Sequence, residues 1–310
     1  MPVEARLQEL LDQLNALDLP PLFGGDPQTA REQYRQAALA NPEPDKIPPV
    51  TSVQESEVAG PAGPIRIRVY DDHPGADLPI VVFFHGGGWV VGDLDTHDKH
   101  ARRLVRDVGA RVISVDYRRA PEHPFPAAYD DCWAVTEYVL AHPGEFHATS
   151  ISVAGDSAGG NLAAAVAITA RDHGYDLAAQ LLIYPATDML TAYPSREENA
   201  RGYRLEAQDM DDATASYAQG ADLRDPRISP IFAKRHDHLA PAIIGVAGYD
   251  PLRDDGAAYA AKLQQAGTKV TLHNYPTLIH GFYGFYPISA DSDSAVTELN
   301  ADLRAVLETR

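Results

Sequence analysis

The sequence predicts an α/β fold: a mostly parallel sheet of eight strands with helices on both faces. Three features predict it. From about residue 50, apolar strand segments alternate with longer amphipathic or Ala-rich segments. From Pro79 onward (PIVVFF) the strand segments are near-continuous apolar runs, the pattern of strands covered on both sides. One of them passes through a glycine-rich turn at Ser157 straight into a helical segment. With 310 residues, 45 % apolar and 23 % charged, the chain has a globular composition and room for a large core.

In chain order, residues 1–48 read as two helices, EARLQELLDQLNAL and TAREQYRQAALA, joined by PPLFGGDP. Strands are expected near 51–58 and 64–71, a hairpin-like pair broken by GPAGP, and then near 79–85, 111–116, 150–155, 178–184, 242–248 and 269–275. The connecting helices are DKHARRLVRDVGA, DDCWAVTEYVLAHP, GGNLAAAVAITARDHG and DGAAYAAKLQQAG; Gly or Pro closes each of the last three. Residues 188–225 break the alternation. They follow a strand yet hold only a polar helical stretch, AQDMDDATASYAQG. Pockets of open sheets lie beyond the carboxyl ends of strands, where insertions cluster. Residues 1–48 are therefore expected to form the N-terminal part of a helical cap. Residues 49–310 then make the α/β domain, with a cap insertion at about 188–225.

Acidic residues outnumber basic ones 44 to 26, a formal charge of −18. Such a surface repels phosphate backbones and anionic lipid, so neither nucleic acid nor membrane is expected as a partner. No run of 18 apolar residues occurs. The single Cys132 can make no internal disulfide and no thiolate cluster, and the acidic start MPVEARLQELLDQLNAL lacks the apolar core of a leader. A cytoplasmic location is the expectation, with no metal and no cofactor.

The chemistry begins at Gly155-Asp156-Ser157-Ala158-Gly159, a G-x-S-x-G in its required strand–turn–helix setting. Side chains at 155 and 159 would clash in so tight a turn. Ser157 is lifted out at a helix N-terminus, where developing negative charge is favoured. Asp156 is read as a hydrogen-bond anchor for the turn, with no chemical step. After PIVVFF comes His85-Gly86-Gly87-Gly88-Trp89, whose bare backbone N–H groups can approach a ligand closely. In acyl transfer they would stabilise an oxyanion together with the amide of Ala158. No Walker lysine and no G-x-G-x-x-G accompanies them, which weakens a phosphate-cradle reading. Among 12 histidines, His280 follows the last expected strand and is the favoured base; His273, His236 and His238 are weaker. Asp250 ends the run AIIGVAGY and is the favoured third partner, whereas Asp254 and Asp255 read as N-cap and first-turn acids of a helix.

Taken together, HGGGW, YRRAPEHPFPAAYDD, GDSAGGN, DPLRDDG and HGF resemble the bacterial hormone-sensitive-lipase family of α/β-hydrolase esterases, in its GDSAG branch, over roughly residues 60 to 310. The resemblance implies an α/β-hydrolase fold with a helical cap. It implies a triad of Ser157, Asp250 and His280, and oxyanion N–H groups from Gly87, Gly88 and Ala158. Arg118, Glu122 and Pro124 match a stretch that looks structural in the family. DPLRDDG departs from the common DPLRDEG only by exchanging one acid for another. The expected activity is hydrolysis of short- to medium-chain carboxylic esters through an acyl-enzyme, by a monomer or homodimer. The alternatives are an amidase or peptidase with the same triad, a non-catalytic hydrolase-fold ligand receptor, and a protein-binding scaffold that uses the cap.

Overall fold

The computed structural model describes residues 1–17, 21–40 and 43–309. Its strands are β1 Ser52–Gly60, β2 Gly63–Asp71, β3 Leu78–Phe84, β4 Arg111–Val115, β5 Ala148–Asp156, β6 Gln180–Ile183, β7 Ala242–Tyr249 and β8 Val270–Ile279. They form one sheet in the order β1-β2-β4-β3-β5-β6-β7-β8. The first two strands make an antiparallel hairpin, β2 meets β4 antiparallel, and β3 to β8 pair in parallel. All eight expected strands are present. The largest difference is at β8, which continues through Tyr275 to Ile279 after a register shift against β7. That extension delivers His280 directly at a strand end.

The helices are α1 Ala5–Asn15, α2 Pro27–Leu39, α3 Asp98–Val108, α4 Ala127–Ala141, α5 Ala158–Asp172, α6 Pro194–Glu198, α7 Ala207–Ala218, α8 Arg253–Gln265 and α9 Ala290–Glu308. Strand alternation divides the core in two. On β3, Ile80, Val82 and Phe84 face a layer containing residues of α4, α5 and α8, while Val81 and Phe83 face residues of α1, α3 and α9. Helix α9, to which the sequence reading assigned no element, buries Ala295, Val296, Leu299, Leu303 and Leu307 on one stripe. Ser289 caps it by accepting the Ser292 amide at 3.2 Å. Among the described residues, no helix is long and apolar enough to cross a membrane.

The N-terminal segment has two jobs where one was expected. Leu7 and Leu11 of α1 are 0 % and 1 % exposed and belong to the sheet's own core. The Glu4 amide donates to the Thr277 carbonyl of the edge strand β8, so α1 is pinned to the sheet edge. The following segment turns toward the insertion, where the Leu22 amide donates to Asp209 of α7 at 2.8 Å. Helix α2 is fastened over the glycine loop by Arg31, which meets Glu122 at 2.6 Å and donates to the carbonyls of Val90 and Ala120. Arg35 adds ion pairs to Asp93 and Asp95.

Candidate active site

Strand β5 ends at Asp156 and α5 begins at Ala158, leaving Ser157 alone in the turn with φ +55° and ψ −117°. A non-glycine residue held there stores about 1–3 kcal/mol of strain. The surrounding glycines make the turn possible: a Cβ on Gly159 would strike the Phe84 carbonyl, and one on Gly155 the Gly159 carbonyl. The Ser157 amide donates to the Ile183 carbonyl of β6 at 2.9 Å, which fixes the turn against the sheet. Buried Asn161 holds the other side by donating to the carbonyls of Ala186 and Ile228 at 2.6 and 2.7 Å.

Three parallel strand ends bring Ser157, His280 and Asp250 together. His280 Nε2 lies 3.0 Å from Ser157 Oγ, and His280 Nδ1 lies 2.8 Å from Asp250 Oδ2. Asp250 is fully buried, and its other oxygen accepts the Leu252 amide at 2.8 Å. Both carboxylate oxygens are thus used, which orients the carboxylate and, through it, the imidazole. Nδ1–H to Asp250 leaves Nε2 as the acceptor facing the serine hydroxyl. The weaker histidines lie elsewhere: His273 meets Asp302 at 2.6 Å, His236 meets the Pro230 carbonyl at 3.1 Å, and His238 is exposed.

Asp254 and Asp255 do fall in the first turn of α8, but neither caps it. Asp254 accepts the Ser195 amide at 2.9 Å, and Asp255 meets Arg196 at 3.1 Å, so both anchor the insertion. Burial raises the Asp255 carboxyl to about 7 despite Arg196. Arg118 forks onto Asp131 with two 2.8 Å bonds and Glu122 pairs with Arg31, which makes this stretch scaffolding.

The glycine loop runs alongside the turn. Gly87 adopts φ +118° with the Val91 backbone where a Cβ would stand, so only glycine fits. Among the described residues, the amides of Gly87, Gly88 and Ala158 donate to no other group. All three residues line the same cavity as Ser157. Asp156 ties loop to turn by accepting the Gly86 amide at 2.9 Å. Behind it sits a buried histidine group that sequence inspection did not single out. His97 Nε2 is 3.6 Å from Asp156, and His97 Nδ1 meets Thr96 Oγ1 at 2.9 Å. Burial opposes the Asp156 charge, yet the contact with His97 holds its carboxyl well below the usual range. Burial pushes His85 down to about 3 and His100 far down as well, so both stay neutral. His97, His100 and Asp156 are the one described grouping with metal-like spacing, their ligand atoms lying within 4.8 Å of one another.

Above Ser157 lies a cavity of about 280 Å³. Its roof comes from both additions: Leu10 and Leu14 of α1, Ala38 of α2, and Leu205, Met210 and Ala213 of the insertion. Trp89 of the glycine loop stacks on Tyr217 of α7 with ring centroids 4.4 Å apart, coupling loop and roof. Tyr184, just past β6, places its ring 4.7 Å from that of His280.

A family model described as alpha/beta hydrolase fold matches residues 81–284. The chain is 41 % identical over 288 residues to the carboxylic ester hydrolase LipN of Mycobacterium tuberculosis, spanning 90 % of this chain and 76 % of the relative. It is 43 % identical over 272 residues to the esterase LipI of the same organism, spanning 84 % of each. Among solved structures, the hyperthermophilic esterase of the archaeon Pyrobaculum calidifontis superposes with a TM-score of 0.92. That match has 40 % identity and covers 98 % of this chain and 99 % of the other.

Proposed function

The chain belongs to the bacterial hormone-sensitive-lipase family of α/β-hydrolase carboxylic ester hydrolases, and from that premise we propose a serine carboxylesterase working through Ser157, His280, Asp250 and an acyl-enzyme. One observation carries the reading: the unbroken hydrogen-bonded row Asp250–His280–Ser157 ends among three unused backbone donors. Ser157 Oγ attacks the ester carbonyl while His280 Nε2 takes its proton, and Asp250 holds the imidazole and stabilises its charged form. The carbonyl oxygen becomes an oxyanion held by the amides of Gly87, Gly88 and Ala158. These donors are already oriented, so little reorganisation opposes the step. His280 then returns the proton to the departing alcohol. Water, activated by the same imidazole, releases the acid from Ser157.

Residues 1–48 and the insertion at about 188–225 serve as the cap, and their apolar side chains set the acyl room. A cavity of about 280 Å³ suits short to medium chains. All these groups come from one chain, so monomer and homodimer are equally competent. The reading includes a cytoplasmic site, where the lone buried Cys132 stays reduced. A series of p-nitrophenyl esters of increasing chain length, with p-nitroanilides of the same acids, tests it. Hydrolysis of the short and medium esters with the anilides left intact is the expected result. Equal cleavage of anilides, or no cleavage of any ester, overturns the proposal.

A further inference from the structure

The cavity wall holds two cations that the ester chemistry does not use. On α3, Arg102 pairs with Asp98, and Arg103 with Asp107 and Asp293. In the insertion, Arg196 pairs with Asp255. Lys99 and Arg204 belong to these same two elements and line the cavity, yet neither has a carboxylate in ion-pair reach among the described residues. They stand on the turn that follows His280. The Arg204 guanidinium fills the place a Cβ on Gly281 would take, with Nη1 3.4 Å from the His280 carbonyl and Cζ 5.2 Å from the Phe285 ring centre. The Lys99 Cε lies 3.7 Å from where a Cβ on Gly284 would stand. Arg204 holds φ +76°, a conformation that costs a non-glycine residue energy and persists only where its surroundings enforce it. Burial, with Arg204 adding repulsion, draws the Lys99 ammonium down to about 8, so it is still mostly charged at neutral pH.

Lys99, half-buried, and Arg204, exposed, stand without a carboxylate partner on the wall of a cavity that Asp156 and Asp209 also line, and in a chain of net charge −18 this positive pair offers an attractive place for the anionic end of a substrate. We propose that Lys99 and Arg204 form an anion subsite and that the preferred substrates are esters carrying a second, carboxylate group. This rests on the carboxylesterase reading above. The guanidinium suits a planar carboxylate and the ammonium supplies a point charge, while the apolar walls accept the alkyl spacer. The carboxylate can sit on either the acid or the alcohol half of the ester.

Two matched pairs separate these cases: monoethyl adipate with ethyl hexanoate, and 4-acetoxybutanoate with butyl acetate, followed by pH-stat at pH 7. In at least one pair the charged member should have the higher kcat/KM, by about tenfold, the equivalent of one well-placed charge interaction. Lys99→Met and Arg204→Gln should each lower that ratio about tenfold, chiefly through KM. Lys99→Arg, which keeps the charge, should hold it within a few-fold. Ratios of one or less in both pairs, or ratios that neither substitution moves, overturn the subsite while hydrolysis of the neutral esters leaves the esterase reading standing. Failure to hydrolyse any of the four esters overturns both.

Discussion

Exchanging Asp250 for asparagine changes a single atom at the buried end of the row and should nearly silence the enzyme. Asp250 Oδ1 accepts the Leu252 amide at 2.8 Å, and leaving that buried donor unpaired costs about 1–3 kcal/mol. The asparagine carbonyl therefore stays on Leu252 and its NH2 turns to His280 Nδ1, where Oδ2 stood at 2.8 Å. Facing a donor, Nδ1 must give up its hydrogen. The proton then resides on Nε2, 3.0 Å from Ser157 Oγ, and the imidazole cannot accept the serine proton. In a serine protease with the same arrangement, a trapped tautomer of this kind costs about 10⁴ in turnover, or about 5.5 kcal/mol. Measured with p-nitrophenyl butyrate, Asp250→Asn should lose kcat by that order while melting close to the parent. Asp254→Asn and Asp255→Asn, which touch the insertion and not the imidazole, should stay within a few-fold. An Asp250→Asn variant within tenfold of the parent, or a dead Asp254→Asn or Asp255→Asn variant, would refute the reasoning.

The fold offers two further tests. Leu7→Ala or Leu11→Ala empties a core position under the sheet and should cost about 2–5 kcal/mol by urea unfolding; a loss below 1 kcal/mol would mean that α1 only roofs the cavity. Burial lifts the Asp255 carboxyl from 3.8 to about 7 in the folded chain, so the fold retains a proton that the unfolded chain releases near pH 4. That contribution favours folding at low pH and fades as pH rises through 7. Asparagine mimics the neutral acid, so melting curves from pH 4 to 8 should show Asp255→Asn gaining on the parent as pH rises, and a constant gap would contradict the shift.

The central strands and the row of Ser157, His280 and Asp250 were legible because their signals are local. Apolar runs such as Ile80–Phe84 mark buried strands, and the requirement for small residues at 155 and 159 marks the turn around Ser157. Asp250 and His280 could be read from their positions at strand ends. Helix α9 escaped because Asp291, Asp293 and several polar residues dilute its buried stripe from Ala295 to Leu307. Asp254 and Asp255 resembled helix caps, and only tertiary contact with Ser195 and Arg196 redirects their oxygens. His97, His100, Lys99 and Arg204 carry no local pattern at all. They reach the cavity from α3 and the insertion, and their meaning lies in what stands opposite them after folding.

The identity of the nucleophile is the claim on which everything else depends, and covalent labelling reaches it most directly. An alkyl p-nitrophenyl phosphonate should add once per chain, with the adduct on the peptide bearing Ser157 after digestion and mass spectrometry. Ser157→Ala should remain unlabelled, keep the parent's fold and lose about 10⁶ in turnover. An adduct on any other residue, or a Ser157→Ala variant retaining more than about a hundredth of the parent's kcat, would contradict the account.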